Sequence, residues 1–516
     1  MPKIEVSPRF INISLNMSSK TLNIHYHALL IFLTITLSNT NIRTEGVIGI
    51  NWGRENSQRL IPSMVVDLIL QNRVPEARIY SDQTDLLKAF AGSGISLTIQ
   101  IFDLELVGTP EAAKAWVQSR ALWFTASNVR RVFIGRYVFF AGDAESQNST
   151  INALFNTQEA LNAAGYGDLI KATMPQPYQI LKNITKPSEA EFQDWYKQDL
   201  LRFLSIIKAN NAPYCLELFP MDTMMILNIT DMGFVFPDNK STHVVTDVNG
   251  AVYTDVFTFA YDAYAWALEK LGFQDLKIVV SLVGWPTDGY PGANVPNAER
   301  FYKAFLPLIA SGKGTPKRPG NPIDAFVHSI TDENKNPVAY PFGRHWGIYR
   351  SNGEPKYKID LTGQGRDIFP VTAKGVMQMP RRWCVIDEKA LAGNEKKLEF
   401  QHERACEQAD CTSTFEGGSC SGLSPTQNVS YAFNMLFQSM FQEEDECYFH
   451  GLARVVTDNP STGSCVFPVE VVKGAQENYA GDGAKENYFG DGNRTHEMNG
   501  LVFVILLSTL WALIYN

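Results

Sequence analysis

Polar and aromatic side chains follow the short β-branched runs in the first 370 residues, where they could meet a ligand. These positions are Asn51, Trp52, Tyr80, Ser81, 135–137, Phe219, Pro220, 282–286, Asp332 and Glu333. The set is rich in aromatic residues and poor in carboxylates. Because aromatic faces stack on the apolar C–H surfaces of sugar rings, the set allows carbohydrate binding. Packing in a core is the alternative use of these aromatic residues.

The β-branched runs alternate with helical patterns, and this order indicates how the side chains are positioned. The runs cover residues 47–51, 77–80, 96–101, 132–134, 170–173, 214–219, 278–283 and 325–329. About eight strands with intervening helices are typical of a (β/α)8 TIM barrel, whose chemistry lies at the carboxyl ends of the strands. A doubly wound α/β sheet is the alternative. No G-x-G-x-x-G follows the first strand, so we expect no bound dinucleotide. We expect no other cofactor either.

The composition of the 516-residue chain is that of a globular protein, with 45% hydrophobic and 19% charged residues. Lys and Arg total 45 against 54 Asp and Glu, which gives a net charge of −9. Because a nucleic-acid-binding protein needs a basic face, this balance argues against a nucleic-acid partner.

The amino-terminal region has the layout of a signal peptide over residues 1–45. A ten-residue apolar run at 28–37 follows basic residues and precedes small polar ones. The run is too short to span a bilayer. Met17 is the alternative start of this signal.

The carboxyl-terminal end has the layout of a glycosylphosphatidylinositol (GPI) attachment signal. Residues 501–515 are apolar, 493–500 form a polar spacer, and 490–492 are small. This order predicts lipid attachment at Gly490 and removal of a propeptide over 494–516. We expect a protein on the outer face of the plasma membrane, in the cell wall space. A tail-anchored helix is the alternative.

A secreted chain can carry N-linked glycans on N-x-S/T sequons. The sequence has such sequons at Asn148, Asn183, Asn228, Asn239, Asn428 and Asn493. Each of them is a predicted glycosylation site.

The cysteines divide the chain into two regions. Six of the seven lie between residues 384 and 465, at Cys384, Cys406, Cys411, Cys420, Cys447 and Cys465. In a secreted chain this density indicates three disulfides, with fifteen possible pairings. A zinc site is the rival, but no C-x2-C pair is present, so we expect no metal. Cys215 lies in an apolar run, which predicts a buried free thiol.

These features set the domain boundaries. The predicted parts are a barrel at 46–370, a linker at 371–382, a cysteine-rich module at 383–468 and a polar stalk at 469–493. The stalk contains a nine-residue tandem repeat at 475–483 and 484–492, whose polar composition suits an extended spacer.

The motifs at the strand ends resemble those of plant β-1,3-glucanases of glycoside hydrolase family 17. They read IGINWG (48–53), ARIYSD (77–82), GWPTDG (284–289), TDEN (331–334) and RHWGIY (344–349). The last quarter resembles a family 43 carbohydrate-binding module, through RWC (382–384), NVSYAFNMLFQ (428–438) and CYFHGLA (447–453). The order of the two modules and the anchor signal resemble the atypical, ZERZAUST-like subgroup.

The resemblance implies a cleft for β-1,3-glucan, such as callose, and hydrolysis with retention by two glutamates. A retaining glycosidase needs an acid and a carboxylate nucleophile about 5 Å apart. The family's acid position is occupied by Tyr137, next to Arg136, and its nucleophile position by Leu282. Leucine cannot form a glycosyl ester, and tyrosine has an unperturbed pKa near 10. The motifs therefore predict an impaired glucan endo-1,3-β-glucosidase with no catalytic residue at either position.

Two glutamates remain near the strand ends, Glu217 and Glu333. They could restore catalysis if they lay on both sides of the scissile bond. The alternatives are a buried ion pair of Glu217 with Arg136 and a sugar-hydroxyl contact for Glu333.

The resemblance also implies the binding residues and the disulfide pairing. The predicted glucan contacts in the cleft are Tyr80, Phe219, Trp285 and Glu333, and those in the module are Trp383 and Tyr431. Core packing is the alternative for the module's aromatic residues. The family pairing joins Cys384 to Cys447, Cys406 to Cys411 and Cys420 to Cys465.

Three functions from different classes follow. The first is a cell-surface protein that binds β-1,3-glucan without hydrolysing it. The second is an active endo-1,3-β-glucosidase. The third is an adhesion or signalling scaffold of the cell wall. The sequence names no protein partner.

Overall fold

The computed structural model describes residues 44–57, 60–336, 343–390 and 392–472. From Glu45 onward these residues belong to one compact unit. The predicted signal peptide up to residue 43, the stalk from 473, Gly490, Asn493 and the apolar tail lie outside the described residues. In the described ranges, no helix is long and apolar enough to cross a membrane.

A parallel sheet forms the centre of the first domain. Its part of the chain contains β1 Ile48–Trp52, β2 Glu76–Ile79, β3 Ser96–Ile101, β4 Val129–Ile134, β5 Lys171–Thr173, β6 Pro175–Pro177, β7 Tyr214–Leu218, β8 Val245–Thr246, β9 Val252–Tyr253, β10 Ile278–Val283 and β11 Asp324–Val327. Strands β8 and β9 form a separate antiparallel pair, and the others follow the order β5-β4-β3-β2-β1-β11-β10-β7-β6.

The two edge strands of this sheet are consecutive in the chain, with only Met174 between β5 and β6. The sheet therefore curves round into a nearly closed barrel, in which β5 and β6 together act as one strand. This confirms the predicted (β/α)8 barrel over the doubly wound sheet, because an open sheet would not bring its first and last strands to neighbouring residues.

Helices surround the barrel: α1 Pro62–Gln71, α2 Thr84–Phe90, α3 Pro110–Ala126, α4 Val138–Ala141, α5 Ala144–Ala163, α6 Lys197–Ala209, α7 Pro220–Ile226, α8 Val256–Lys270 and α9 Val295–Ala310. Local sequence sets several of their starts. Asp143, Asp255 and Asn294 each accept a hydrogen bond from a backbone N–H in the first turn of the following helix. Such caps satisfy amide groups that have no partner inside the helix.

Inward-facing side chains fill the barrel. Phe133, Cys215, Val279 and Phe326 form one buried cluster. Cys215 has no disulfide partner, and burial raises the pKa of its thiol to about 12. The prediction of a buried free thiol is confirmed, and such a thiol is unreactive because it stays protonated.

The cysteine-rich module packs two helices, α10 Glu395–Gln408 and α11 Pro425–Ser439, against an antiparallel pair, β12 Trp383–Ile386 and β13 Ala453–Val456. Helix α11 begins with a capping box between Ser424 and Gln427. Three disulfides join Cys384 to Cys447, Cys406 to Cys411 and Cys420 to Cys465. This is the pairing that the family resemblance implied.

Candidate functional site

Glu217 occupies the centre of the candidate site, near the carboxyl end of β7. Its side chain is fully buried. Arg78 in β2 donates from Nη1 to Glu217 Oε1 at 2.5 Å, and from Nη2 to Gln100 Oε1 at 2.8 Å. Arg78 is itself fully buried. Because an unpaired charge in a protein interior is costly, each of the two ions requires the other.

A second cation reaches Glu217 from the loop after β4. Arg136 Nη2 lies 3.3 Å from Glu217 Oε2 and donates to the Tyr137 hydroxyl at 2.8 Å. The Tyr137 hydroxyl in turn donates to Glu217 Oε2. The backbone turns sharply here, with positive φ angles of 57° at Gly135 and 56° at Tyr137. Positive φ is uncommon for a bulky residue and is found at functional sites.

These contacts fix the charge state of the cluster. Burial alone would raise the pKa of the Glu217 carboxyl, but Arg78, Arg136 and the Tyr137 hydroxyl lower it to about 2. Burial raises the pKa of Tyr137 well above its ordinary value of 10. At neutral pH the cluster therefore holds an ionised glutamate and a neutral tyrosine.

The ion pair of Glu217 with Arg136, the alternative left open for this glutamate, is thus observed. Sequence reasoning missed Arg78, the closer of the two guanidinium groups. The signal was present, because an arginine between Ala77 and Ile79 in a buried strand needs a counter-ion.

Leu282 lies beside Glu217 on the neighbouring strand. The two residues are paired in the register of β10 with β7, after a β-bulge at Ser281. The bulge leaves the Ser281 carbonyl to accept from Arg78 Nη1 at 3.2 Å and from Asn51 Nδ2 at 3.1 Å. Leu282 is fully buried. The side chain next to the clamped glutamate is therefore an alkyl group without acid–base chemistry.

Glu333 follows β11 at the same end of the barrel and is buried. Its Oε1 accepts the backbone N–H of Glu55 at 3.3 Å. The neighbouring Asp332 is paired with the buried Lys356 at 2.5 Å. Because Asp332 neutralises that lysine, it serves the packing of the loop.

Two of the aromatic residues predicted for the cleft differ in exposure, because Tyr80 is buried and Phe219 is half-buried. Tyr80 is buried beneath two cations, with the Arg78 guanidinium 4.5 Å and the Arg136 guanidinium 5.7 Å from its ring centroid. Phe219 is half-buried, and its ring meets Trp346 edge to face at 5.6 Å. Phe219 is the one of the two with a face left for a ligand.

Trp285 is a correction to the predicted cleft. Its side chain is fully buried between Phe236 and Phe301, with centroids at 4.9 and 5.8 Å, and its Nε1 donates to Gly292 O. A ring covered on these sides offers no face to a sugar. Through its hydrogen bond to Gly292, Trp285 stabilises the loop that follows β10.

Trp383 and Tyr431 are also corrections, because both lie in the core of the module. Trp383 Nε1 donates to Phe467 O at 3.0 Å, and the Tyr431 ring lies 5.2 Å from the Phe467 ring. Both side chains are at most 4% exposed. Core packing, the alternative left open for them, is the observed role. Phe433 is buried in the same way, stacked on Phe449.

The sequons occupy the surface of the described chain. Asn148, Asn183, Asn228 and Asn239 are exposed, and Asn428 is half-buried in the first turn of α11. Exposure makes the first four compatible with a glycan. Among the described residues, no group of three His, Cys, Asp or Glu side chains could hold a metal ion.

The family model described as glycosyl hydrolases family 17 matches residues 48–361. The chain belongs to this family. A second model, the X8 domain, matches residues 382–454. These two matches cover most of the barrel and the part of the disulfide-bonded module that precedes Cys465.

Relatives of this family 17 chain align with most of its length. Glucan endo-1,3-beta-glucosidase 8 of Arabidopsis thaliana is 33% identical over 88% of this chain and 95% of its own length. Glucan endo-1,3-beta-glucosidase 5 of the same plant is 34% identical over 86% of this chain and 92% of its own. The solved structure of CJP38, a beta-1,3-glucanase and allergen of Cryptomeria japonica pollen, superimposes with a TM-score of 0.58. It is 25% identical and covers 61% of this chain and 99% of its own.

Proposed function

We propose that this protein binds β-1,3-glucan, the class of polysaccharide that includes callose, at the cell surface without hydrolysing it. Membership of family 17, an X8 domain and relatives named as glucan endo-1,3-beta-glucosidases support β-1,3-glucan as the ligand. One observation supports the proposed loss of hydrolysis. The positions of the family's acid and nucleophile hold Tyr137 and Leu282, and the nearest carboxylate is clamped by two arginines.

The chemistry of retention explains why this arrangement is inactive. The reaction needs one carboxylic acid that protonates the leaving oxygen and one carboxylate that attacks the sugar. Glu217 cannot serve as the acid, because its pKa of about 2 leaves it ionised. It is also a poor nucleophile, since both of its oxygens accept hydrogen bonds from Arg78, Arg136 and Tyr137.

The test of inactivity is a reducing-end assay of the purified protein on laminarin and curdlan. We expect no release of reducing ends above background. Turnover of even about one per second, at the low end of the usual enzymatic range, would refute the proposal and favour an active glucosidase. The assay decides between the first two functional classes.

Restoring both carboxylates sharpens this test. We expect the double variant Tyr137→Glu, Leu282→Glu to gain measurable hydrolysis and each single variant to gain none, because the two groups act as a unit. The two single variants are the matched controls. Activity in the Leu282→Glu variant alone would show that another residue supplies the acid.

Binding is tested separately by affinity electrophoresis in gels that contain laminarin. Retardation of the wild-type protein, but not of bovine serum albumin, is the expected result. Unchanged mobility would favour the adhesion or signalling scaffold, in which neither domain binds glucan tightly.

The proposed location follows from the two terminal signals. Phosphatidylinositol-specific phospholipase C should release the protein from plasma membranes, because a GPI anchor is cut at its phosphodiester. Retention after treatment, with the epitope at 501–515 still present, would instead indicate a helical anchor.

A further inference from the structure

The module contacts the barrel through the loop that follows β10, at the carboxyl ends of the strands. Asp288 accepts a hydrogen bond from Ser413 Oγ at 2.9 Å, and bonds from the backbone N–H and the hydroxyl of Ser419 at 2.6 Å. Gly417, with φ of 78°, packs so closely on Pro291 that a Cβ atom there would lie 2.4 Å from its backbone nitrogen. The segment 413–419 is therefore seated on residues 288–291.

A second group of contacts joins the module to the loop after β11. Arg344 Nη1 lies 3.1 Å from Asp410 Oδ1, and His345 Nε2 lies 2.8 Å from Thr412 Oγ1. Asp410 is buried, which would raise its pKa, but His345 and Arg344 hold the pKa below its ordinary value. Two loops of the barrel, at 288–291 and 344–345, thus hold residues 410–419 of the module. We call this junction the seam.

An aromatic surface of the barrel adjoins the seam. Phe219, Tyr290 and Trp346 pack together with Ala293 in one cluster. Phe219 and Tyr290 are half-buried, so each keeps an open side. Tyr290 lies between Asp288 and Pro291 in the chain, which are the two residues that seat the module.

The module has an exposed aromatic residue, Phe415, in the segment that is seated on the barrel. Phe415 lies between Ser413 and Gly417, which are both fixed against the barrel, and its side chain is 40% exposed. Because the segment is fixed at both ends, the exposed Phe415 ring is held at a defined position where a sugar ring could stack on it. Phe415 lies two residues from the nearest positions that meet Asp288 and Pro291, and Tyr290 lies between those two barrel residues.

We propose that a single β-1,3-glucan chain crosses the seam and contacts Phe219 and Tyr290 of the barrel and Phe415 of the module. This inference rests on the proposed function, since it assumes that the protein binds β-1,3-glucan. Aromatic faces suit the C–H surfaces of the sugar rings. Because the two domains are held together, the second contact of a long chain is intramolecular and strengthens binding. Short oligosaccharides reach only one side.

The experiment compares long and short ligands on full-length protein. Calorimetry with laminarin and with laminaritriose is carried out on wild type, on Phe415→Ala and on Phe400→Ala. Phe400 is the matched control, because it is a phenylalanine of the same module with 63% exposure and lies on α10 outside the segment 410–419. We expect Phe415→Ala to lower the affinity for laminarin about tenfold, with the affinity for laminaritriose unchanged. Phe400→Ala should change neither affinity.

Further variants keep the outcomes distinct. Phe415→Leu retains the apolar bulk of the side chain but lacks a flat ring. We expect it to lose the same affinity for laminarin as Phe415→Ala, which separates the loss of the ring from a perturbation of the fold. Wild-type binding of laminarin with no effect of either variant overturns the crossing and leaves glucan binding intact. Equal losses for laminarin and laminaritriose overturn it as well, because they indicate a short local site. No binding of laminarin by wild type overturns both proposals.

Discussion

The centre of the barrel and the centre of the cysteine-rich module are both closed to solvent, but different interactions hold them. In the barrel, Glu217 is held by Arg78 of β2 and Arg136 of the loop after β4, which are both distant from it in sequence. In the module, three covalent bonds enclose a small apolar core. The barrel has enough buried surface to tolerate a charged centre, whereas a domain of about ninety residues or fewer buries little core and relies on cross-links.

The difference extends to function. Retaining hydrolysis needs free carboxylates, whereas the Glu217 carboxylate at the barrel centre is held by two guanidinium groups. Five of the six bridged cysteines are buried and Cys406 is half-buried, whereas Phe415 and Phe400 are exposed. Cross-links of this kind leave the module's surface available for a ligand.

The largest effect is expected at the barrel centre. The variant Glu217→Gln removes the counter-charge of two buried guanidinium groups, and it should lower the free energy of unfolding by about 3–5 kcal/mol. Chemical denaturation followed by tryptophan fluorescence measures this loss. The control is Glu191→Gln at an exposed pair with Lys182, where we expect a change of at most about 1 kcal/mol. Similar values for the two variants would contradict a clamped centre.

The next effect concerns the module and depends on loop length. Cys384–Cys447 closes 63 residues and Cys406–Cys411 closes five. In the chain-entropy model, replacing both cysteines by serine should cost about 4 kcal/mol for the long loop and about 2 kcal/mol for the short one. Non-reducing peptide maps and thermal unfolding of the two double variants check this order. A reversed order would mean that native packing, and not the unfolded chain, sets the contribution of each bond.

The smallest effect concerns two buried carboxyl groups, Glu470 and Glu217, whose contributions to stability depend on pH in opposite ways. Glu470 is buried, and burial raises the pKa of its carboxyl to about 7. Its ionised form therefore destabilises the fold above pH 7, and this penalty is lost as the pH falls toward the ordinary value of 4.5. Glu470→Gln should raise the free energy of unfolding by about 1–3 kcal/mol at pH 8 and leave it nearly unchanged at pH 4.

Glu217 has the opposite sign and provides the comparison. Because its folded pKa is lowered to about 2, its contribution to stability is present above pH 4.5 and is lost as the pH falls from 4.5 toward 2. Thermal unfolding of wild type and both variants between pH 2 and pH 8 distinguishes the two behaviours. A Glu470→Gln variant that is less stable than wild type at pH 8 would show that this carboxylate has a favourable partner.

Patterns local in sequence were sufficient for the architecture. The alternation of β-branched runs with helical segments predicted the barrel, since strand and helix periodicity depend on neighbouring residues. The density of cysteines predicted three bridges, and three are present. The ion pair of Glu217 with Arg136 was one of two alternatives that the sequence left open for this glutamate, and the structure shows it.

Only the tertiary structure decided which aromatic residues are open to a ligand and what surrounds Glu217. Trp285, Trp383 and Tyr431 sit in motifs that suggest sugar contacts, but the packing of distant segments covers their rings. Arg78 lies 139 residues from Glu217 and meets it because barrel closure brings β2 and β7 across the interior. The seam depends in the same way on the loop at Asp288 and the segment at Ser413, which lie 125 residues apart. Sequence periodicity reports which face of an element is apolar, whereas the partner of a buried charge or ring is fixed only when the elements pack.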